Sequence, residues 1–402
     1  MIRRTLTVAL AGAALALPAL AAPMAAAAQD LTWTGQVRPR YEHRDPVGGG
    51  PDEFTSMRVR LGLSALVDPS LTIFVQLQDV RIWGEESSTT GDFSADNLDL
   101  HQAYLRYSSP SRPWFAATVG RQETAFGGER LVGAVDWLQQ GRAFDGVRVD
   151  LDGGRTDVAF VAHTLADATA ATHQADAELY GAYATVGAVG PGALDLYLLY
   201  DREEGASDAD RATFGSRYAF STAGGFSSRV EGSVQRGERS ETDLSAWMVA
   251  ARLGRTFAGG RGSVTLWYDY LSGDDPDDAA DNAFNTLFAT NHKFYGFADL
   301  FLNIPVHTGG RGLQDAALKL ALGLADDVDL GVDLHSFSAA RDQGLDSGHF
   351  ANELDVTLTH RYSSALSLTA GFSFVQQDDA LAAVGRLAED MTFGYVMLNA
   401  TF

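Results

Sequence analysis

Residues 114–151 read WFAATVGRQETAFGGERLVGAVDWLQQGRAFDGVRVDL. Two strand-like segments, 114–123 and 142–152, flank a Gly-rich connection. In the second, Val147, Val149 and Leu151 fall on one face, and Arg142, Phe144, Arg148 and Asp150 on the other. A period of two means a strand with two different surroundings. One such pair fits a soluble sandwich. A chain built throughout on this pattern asks for another architecture.

The pattern does run through the chain. Eighteen alternating segments are predicted, at 31–43, 54–67, 71–83, 97–108, 114–123, 142–152, 155–165, 178–189 and 192–203, then at 208–220, 225–238, 243–257, 261–273, 312–324, 327–338, 350–362, 365–377 and 390–402. Each can cross a bilayer as a tilted strand, which needs roughly 9–11 residues. The connections alternate in length. Short ones at 68–70, 109–113, 153–154, 190–191, 221–224, 258–260, 325–326 and 363–364 consist of turn residues. The long ones, including 84–96, 124–141, 272–311 and 339–349, are polar. A sandwich has no reason to collect its short turns at one end. A transmembrane antiparallel up-and-down β-barrel does, with short periplasmic turns and long extracellular loops. The last strand alternates through Gly394, Val396, Leu398 and Ala400 to Phe402. As a free sandwich edge it would invite aggregation, whereas closure satisfies every backbone group.

Residues 1–28 read as a cleaved secretory signal. Arg3 and Arg4 precede an apolar run from Thr5 to Leu20, and Ala26, Ala27 and Ala28 form a small-residue cleavage site. Residues 29–402 then form one barrel, placed in the bacterial outer membrane among its lipids. No cysteine is present, which excludes disulfides and thiolate metal sites. The formal charge is −22, and −24 without Arg3 and Arg4, so a nucleic-acid partner is not expected.

If the apolar faces meet lipid, Arg58, Arg60, Arg106, Arg142, Arg148, Lys319 and Arg361 point into the lumen, as do Arg38, Arg40, Arg211, Arg217, Arg229 and Arg252. Arg121 shares parity with Phe115 and Val119, and Arg81 follows an apolar run. Charges facing lipid at mid-depth cost roughly 2–4 kcal/mol, so a bulge at Gly120 and another before Arg81 are expected to turn both inward. Lumenal acids include Glu42, Asp150, Asp195, Glu231, Asp269, Asp333, Glu353 and Asp355. Two readings stand side by side: ion pairs bracing a wide barrel, or a cationic constriction that selects anions. Net charge does not decide between them, because loop acids outside are screened within a Debye length.

Three stretches, 58–85, 120–149 and 272–300, together resemble the alginate-export family of outer-membrane barrels. The third carries the most specific match, with Phe288, Thr290, Asn291, His292, Lys293, Tyr295 and Gly296 in place. The resemblance implies an eighteen-stranded monomer that conducts an anionic polyuronate passively out of the cell. By motif it places substrate contacts on Arg58, Arg60, Arg81, Arg121, Arg130, Arg142 and Arg148. Periplasmic polysaccharide-export proteins are the partners such a channel implies. The turns at the periplasmic end are too short to close the pore from below.

Weaker signals remain. Asp274, Asp275, Asp277 and Asp278 form an acidic cluster in loop 273–282, a candidate Ca²⁺ site without EF-hand spacing. No other cofactor is expected. His292 and Lys293 with Asp299 are read as packing the long loop. G-x-S-x-G and H-E-x-x-H are missing, so an enzyme is not expected. The competing function is a general porin, or one for small anions and oligosaccharides. Loops 84–96 and 124–141 are both expected outside the cell.

Overall fold

Alternation along each strand sorts side chains between lipid and lumen, and the pairing makes that sorting continuous around a closed wall. The computed structural model describes residues 30–47, 50–85, 98–169, 175–205 and 208–402. Residues 1–28, expected above to be a leader, and residues 86–96 of the first long loop lie outside them. Eighteen strands pair antiparallel, each with its sequence neighbours, from β1 (Asp30–Val47) and β2 (Gly50–Asp68) to β17 (Leu366–Gln377) and β18 (Met391–Thr401). β1 also pairs with β18, with Gln36 opposite Thr401 and Asp45 opposite Thr392, so the sheet has no edge. Closure satisfies the ladder on all sides, as a spanning sheet in lipid requires.

The predicted count and parity hold. On β2, Arg58 and Arg60 are buried in the interior while Leu61 is 42% exposed on the outer wall. Leu105, Val119, Val147, Leu196 and Val230 continue this apolar band. Trp33, Trp114, Tyr362 and Phe402 are exposed near the short-turn end, where aromatic side chains favour the membrane interface.

Parity breaks differently from expectation at two arginines. β4 (Leu98–Ser108) carries the bulge: Gln76 faces Gln102 but Leu77 faces Leu100, which leaves His101 extra and turns it inward. Pairing of β5 (Phe115–Gln122) is unbroken through Gly120, so Arg121 shares the outer face with Val119 and meets Asp145 at 2.8 Å. Gly120 is needed for a different reason. Its φ is +127°, and a Cβ there would lie 2.3 Å from the Ala103 carbonyl. On β3 (Leu71–Ile82), Asp79 faces Val59 and Arg81 faces Met57, again on the outer face. Their own ion pair, 2.8 Å from Nε to Oδ1, lowers the cost of that placement.

The second correction concerns the long loops. Residues 123–143 leave the long-loop end of β5 and return to β6 (Phe144–Asp152), but the segment folds down into the lumen and does not stand outside. Residues 272–312, between β13 (Gly262–Leu271) and β14 (Leu313–Gly323), fold in beside it. The two segments bond to each other: Gly133 N donates to the Phe288 carbonyl at 2.9 Å and Phe288 N to the Leu131 carbonyl at 2.8 Å. Phe284, Phe294, Tyr295, Phe301 and Ile304 then pack on Phe337, Phe350, Val375 and Phe393 from the wall, an apolar core inside the barrel. His292 does pack the loop as expected, bonded to Asp299 at 2.7 Å and stacked 4.1 Å from Trp137.

This topology predicts a labelling pattern with a bulky membrane-impermeant thiol reagent. Cysteine at Asp346, in the exposed loop 339–348, should react on intact cells. Cysteine at Ala223, in a short turn, or at Ala125, near the bottom of the inserted segment, should react only after permeabilisation. Reaction of Ala125→Cys on intact cells would place that segment outside.

Candidate functional site

The densest cationic wall lies on β1 and β2. Arg38 faces Arg58 directly across the pair, and Arg40 and Arg60 flank them on the same face. Like charges set opposite each other are unfavourable unless acceptors intervene. Residues 136–140 of the inserted segment supply those acceptors. The Arg58 guanidinium donates to Asp136 Oδ1 at 2.7 Å and to the Leu138 and Gln139 carbonyls, each at 3.3 Å. Arg38 donates to Gln139 Oε1 at 3.0 Å, and Arg40 to the Trp137 carbonyl at 2.7 Å while stacking over its indole. Arg60 reaches Gln78 at 2.6 Å and Glu123 at 3.2 Å. Enclosure by the wall alone would raise the Asp136 carboxyl; Arg58 outweighs it and holds the group below its usual range.

Arg130 and Arg142 belong to the inserted segment itself. Arg130 is buried, with Nη1 2.6 Å from Asp269 and 3.1 Å from the Tyr295 hydroxyl, and Nε 3.4 Å from Glu231. Asp269 also takes Arg252 at 2.6 Å, so one carboxylate bridges the wall and the loop. Among the described residues the hydrogen-bond acceptors of Arg142 are all carbonyls, at Gly133, Phe288 and Ala289, and its guanidinium carbon lies 5.8 Å from the Phe288 ring centre. Its burial lowers its pKa.

Below the inserted segments, toward the short turns, the cations meet wall acids. Arg106 and Arg148 share Asp150 at 2.9 and 2.7 Å. Lys319 pairs with Asp333 at 2.6 Å, and Arg361 pairs with Asp329 at the periplasmic rim, half exposed. The sequence-predicted residues therefore fall into separate groups and do not form one ring. Arg58 and Arg60 hold the loop, Arg130 and Arg142 cross-link it, and Arg106, Arg148, Lys319 and Arg361 face the lower lumen. Arg81 and Arg121 sit on the outer wall. Sequence reasoning gave no role to Asp136, Trp137 or Gln139, since a loop without periodicity carries no signal of where it lands.

Two polar cavities flank the inserted segments. One of about 440 Å³, lined by Arg40, Glu42, Arg44, Trp137 and Asp299, lies toward the long loops. Another of about 330 Å³, lined by Phe126, Arg148, Asp150 and Tyr183, lies toward the short turns. The acidic cluster of loop 273–282 is occupied locally: Asp275 pairs with Arg341 at 3.1 Å, and Asp274 and Asp278 accept backbone N–H groups of their own loop. Among the described residues no three His, Asp or Glu side chains converge as metal ligands.

Removing the bridging carboxylate tests the latch. Asp269→Ala leaves Arg130 and Arg252 buried without it, a loss of about 3–5 kcal/mol; the temperature at which the folded band disappears in a heat-modifiability gel should fall. An unchanged transition would mean the two segments do not depend on this bridge. The pH response follows from Asp136. Its pKa is depressed, so its contribution is full above the unfolded value of about 3.9 and is lost as pH falls through the lower folded value. The difference in single-channel conductance noise between the unmodified channel and Asp136→Asn should therefore be constant from about pH 5 to 8 and vanish only below about pH 4; a difference that changes between pH 5 and 7 would contradict this.

Comparison with known proteins places this architecture. Similar folds include Pseudomonas aeruginosa OccK3 (OpdO), at TM-score 0.65 and 14% identity over 93% of this chain and 96% of that one. The outer membrane protein OpdK of P. aeruginosa matches at TM-score 0.64 and 13% identity, over 93% and 98%. Acinetobacter baumannii OccAB4 matches at TM-score 0.64 and 10% identity, over 94% and 100%. No curated protein matches by sequence. The family model described as alginate export matches residues 29–386, nearly the whole of the wall and both inserted segments, and the chain belongs to that family.

Proposed function

We propose that this protein is an outer-membrane channel through which an anionic, carboxylated polysaccharide of the alginate type leaves the cell passively, after export of the chain by its leader. The observation that carries the reading is the set of interior arginines on β1 and β2, where Arg38 stands opposite Arg58. Such a set needs anionic or carbonyl acceptors, and guanidinium groups bind planar carboxylates in bidentate fashion. At rest the acceptors are Asp136 and the carbonyls of 138–139. A carboxylated sugar offers the same chemistry, so cargo and loop compete for the same donors. Conduction needs binding weak enough for release, and the lower-lumen acids Asp150 and Asp333 moderate the field there.

The test is a planar-bilayer measurement. In a salt gradient the reversal potential should show anion preference despite the formal charge of −22. Oligouronates should block the current at concentrations where neutral oligosaccharides of equal length do not. Arg58→Gln, Arg60→Gln and Arg148→Gln together should lower or reverse the preference. Cation preference in the unmodified channel would mean that the arginines only brace the wall. Anion preference without oligouronate block would instead favour a porin for small anions.

A further inference from the structure

The interior cations are not equivalent, and one of them has no hydrogen-bond or ion-pair acceptor among the described residues. Arg229 lies on β11 (Phe226–Arg239), on the same face as the lumenal Glu231 two residues on. It is half-buried. Every other strand arginine or lysine of the interior named above has a carboxylate, amide or carbonyl acceptor. Arg229 has neither a hydrogen bond nor an ion pair among the described residues.

The reason is visible in the packing. The register sets Arg229 beside Arg252 on β12 (Thr242–Phe257), and Arg252 beside Trp267 on β13. Two acids lie within reach of this row, Glu231 and Asp269. Both are taken by Arg130, which the inserted segment delivers from above. Glu231 accepts the Tyr197 hydroxyl at 3.2 Å and faces Arg130 Nε at 3.4 Å. Asp269 has one oxygen 2.6 Å from Arg130 and the other 2.6 Å from Arg252. Insertion of the loop therefore adds one cation to a row of balanced charges, and Arg229 is the one left over. Its guanidinium carbon stands 5.8 Å from the Trp267 ring centre, and a Cβ on Gly128 of the loop would lie 3.4 Å from its Nη1. It thus sits beneath the inserted segment, four residues into a strand that starts at the short-turn end.

We propose that Arg229 is a carboxylate-binding subsite on the periplasmic side of the inserted loop, where a uronate unit of the polymer first docks. This rests on the channel reading above and adds the residue and the side of entry. The open donors of a guanidinium already inside the barrel bind a sugar carboxylate without displacing an existing partner. The β1–β2 arginines cannot do so until the loop yields. Arg229 holds the polymer end in the lower lumen, and competition at Arg38 and Arg58 follows.

The experiment measures oligouronate block from each side of an oriented bilayer, in the full-length mature protein. In the unmodified channel, block should be tighter from the periplasmic side. Arg229→Gln should raise the half-blocking concentration from that side by about tenfold, a change of about 1.4 kcal/mol, and Arg229→Lys by less. Ala219→Asp provides a second route, because Ala219 is the cross-strand neighbour of Arg229 on β10 (Ala209–Ser221) and would supply the missing carboxylate. It should weaken block equally while leaving the wall intact, so a folding failure of Arg229→Gln does not end the test. Arg255→Gln, on the outer face near the short turns, should match the unmodified channel. If the unmodified channel is blocked but both Arg229→Gln and Ala219→Asp are blocked as tightly, the subsite is wrong and the channel reading stands. If the unmodified channel is not blocked from either side, the channel reading itself fails.

Discussion

Closure of β1 on β18 is the constraint from which the rest follows. A sheet in lipid has no water to satisfy its edges, so the chain must end where it began, around a complete ring. Eighteen strands make that ring too wide for wall side chains to fill, and such barrels enclose water or a plug. Here the filling comes from the chain itself. The segments 123–143 and 272–312 enter from the long-loop end, bond to each other through Gly133 and Phe288, and bury Phe284, Phe301 and Ile304 against the wall. The wall strands β15 (Val328–Ser338) and β16 (His349–Arg361) therefore have an apolar face on lipid and, near the long loops, a second on this internal core.

Electrostatics then decides how firmly the filling is held. Arginines placed opposite each other on β1 and β2 repel unless something accepts their protons, and buried guanidinium groups cannot simply lose charge. The inserted segment meets that demand with two carboxylates, Asp136 and Glu123, and several carbonyls. The same segment carries Arg130 into a wall whose acids are matched to wall cations, and so shifts the balance on the far side. Holding the loop and leaving beneath it a cation with no acceptor among the described residues are thus two results of a single insertion. A loop held by exchangeable polar contacts suits a channel better than one locked by apolar burial alone, since a charged cargo offers the same contacts.

Much of this was legible from residue order. A period of two, repeated eighteen times with turns of alternating length, sets strand number, lipid-facing parity and the end at which short turns collect, because each depends only on neighbours along the chain. Val59, Leu61 and Leu63 against Arg58 and Arg60 is the clearest case. The family likeness of 272–300 is equally a property of order alone. The signal of Phe288, Tyr295 and Gly296 is now explained: Phe288 splices the two loops, Tyr295 bonds Arg130, and Gly296, at φ +78°, leaves room for Glu353.

Other features were decided only in three dimensions. Cost arguments turned Arg81 and Arg121 inward, yet each found an acid on the outer face, Asp79 and Asp145, and an ion pair between neighbouring positions removes the need for a bulge. The segment 124–141 reads as an outer loop because it is long and lacks period, and length says nothing about which side of a rim it falls on. Its descent depends on Arg38, Arg58, Asp269 and Phe288, residues about 80 to 160 positions away along the chain. Sequence alone determined which side chains of the regularly alternating runs face the barrel interior, because parity is local; Arg81 and Arg121, where the charge cost had argued against parity, kept it. Tertiary structure alone decided which of them are already satisfied there, because a partner's distance depends on where a remote segment comes to rest.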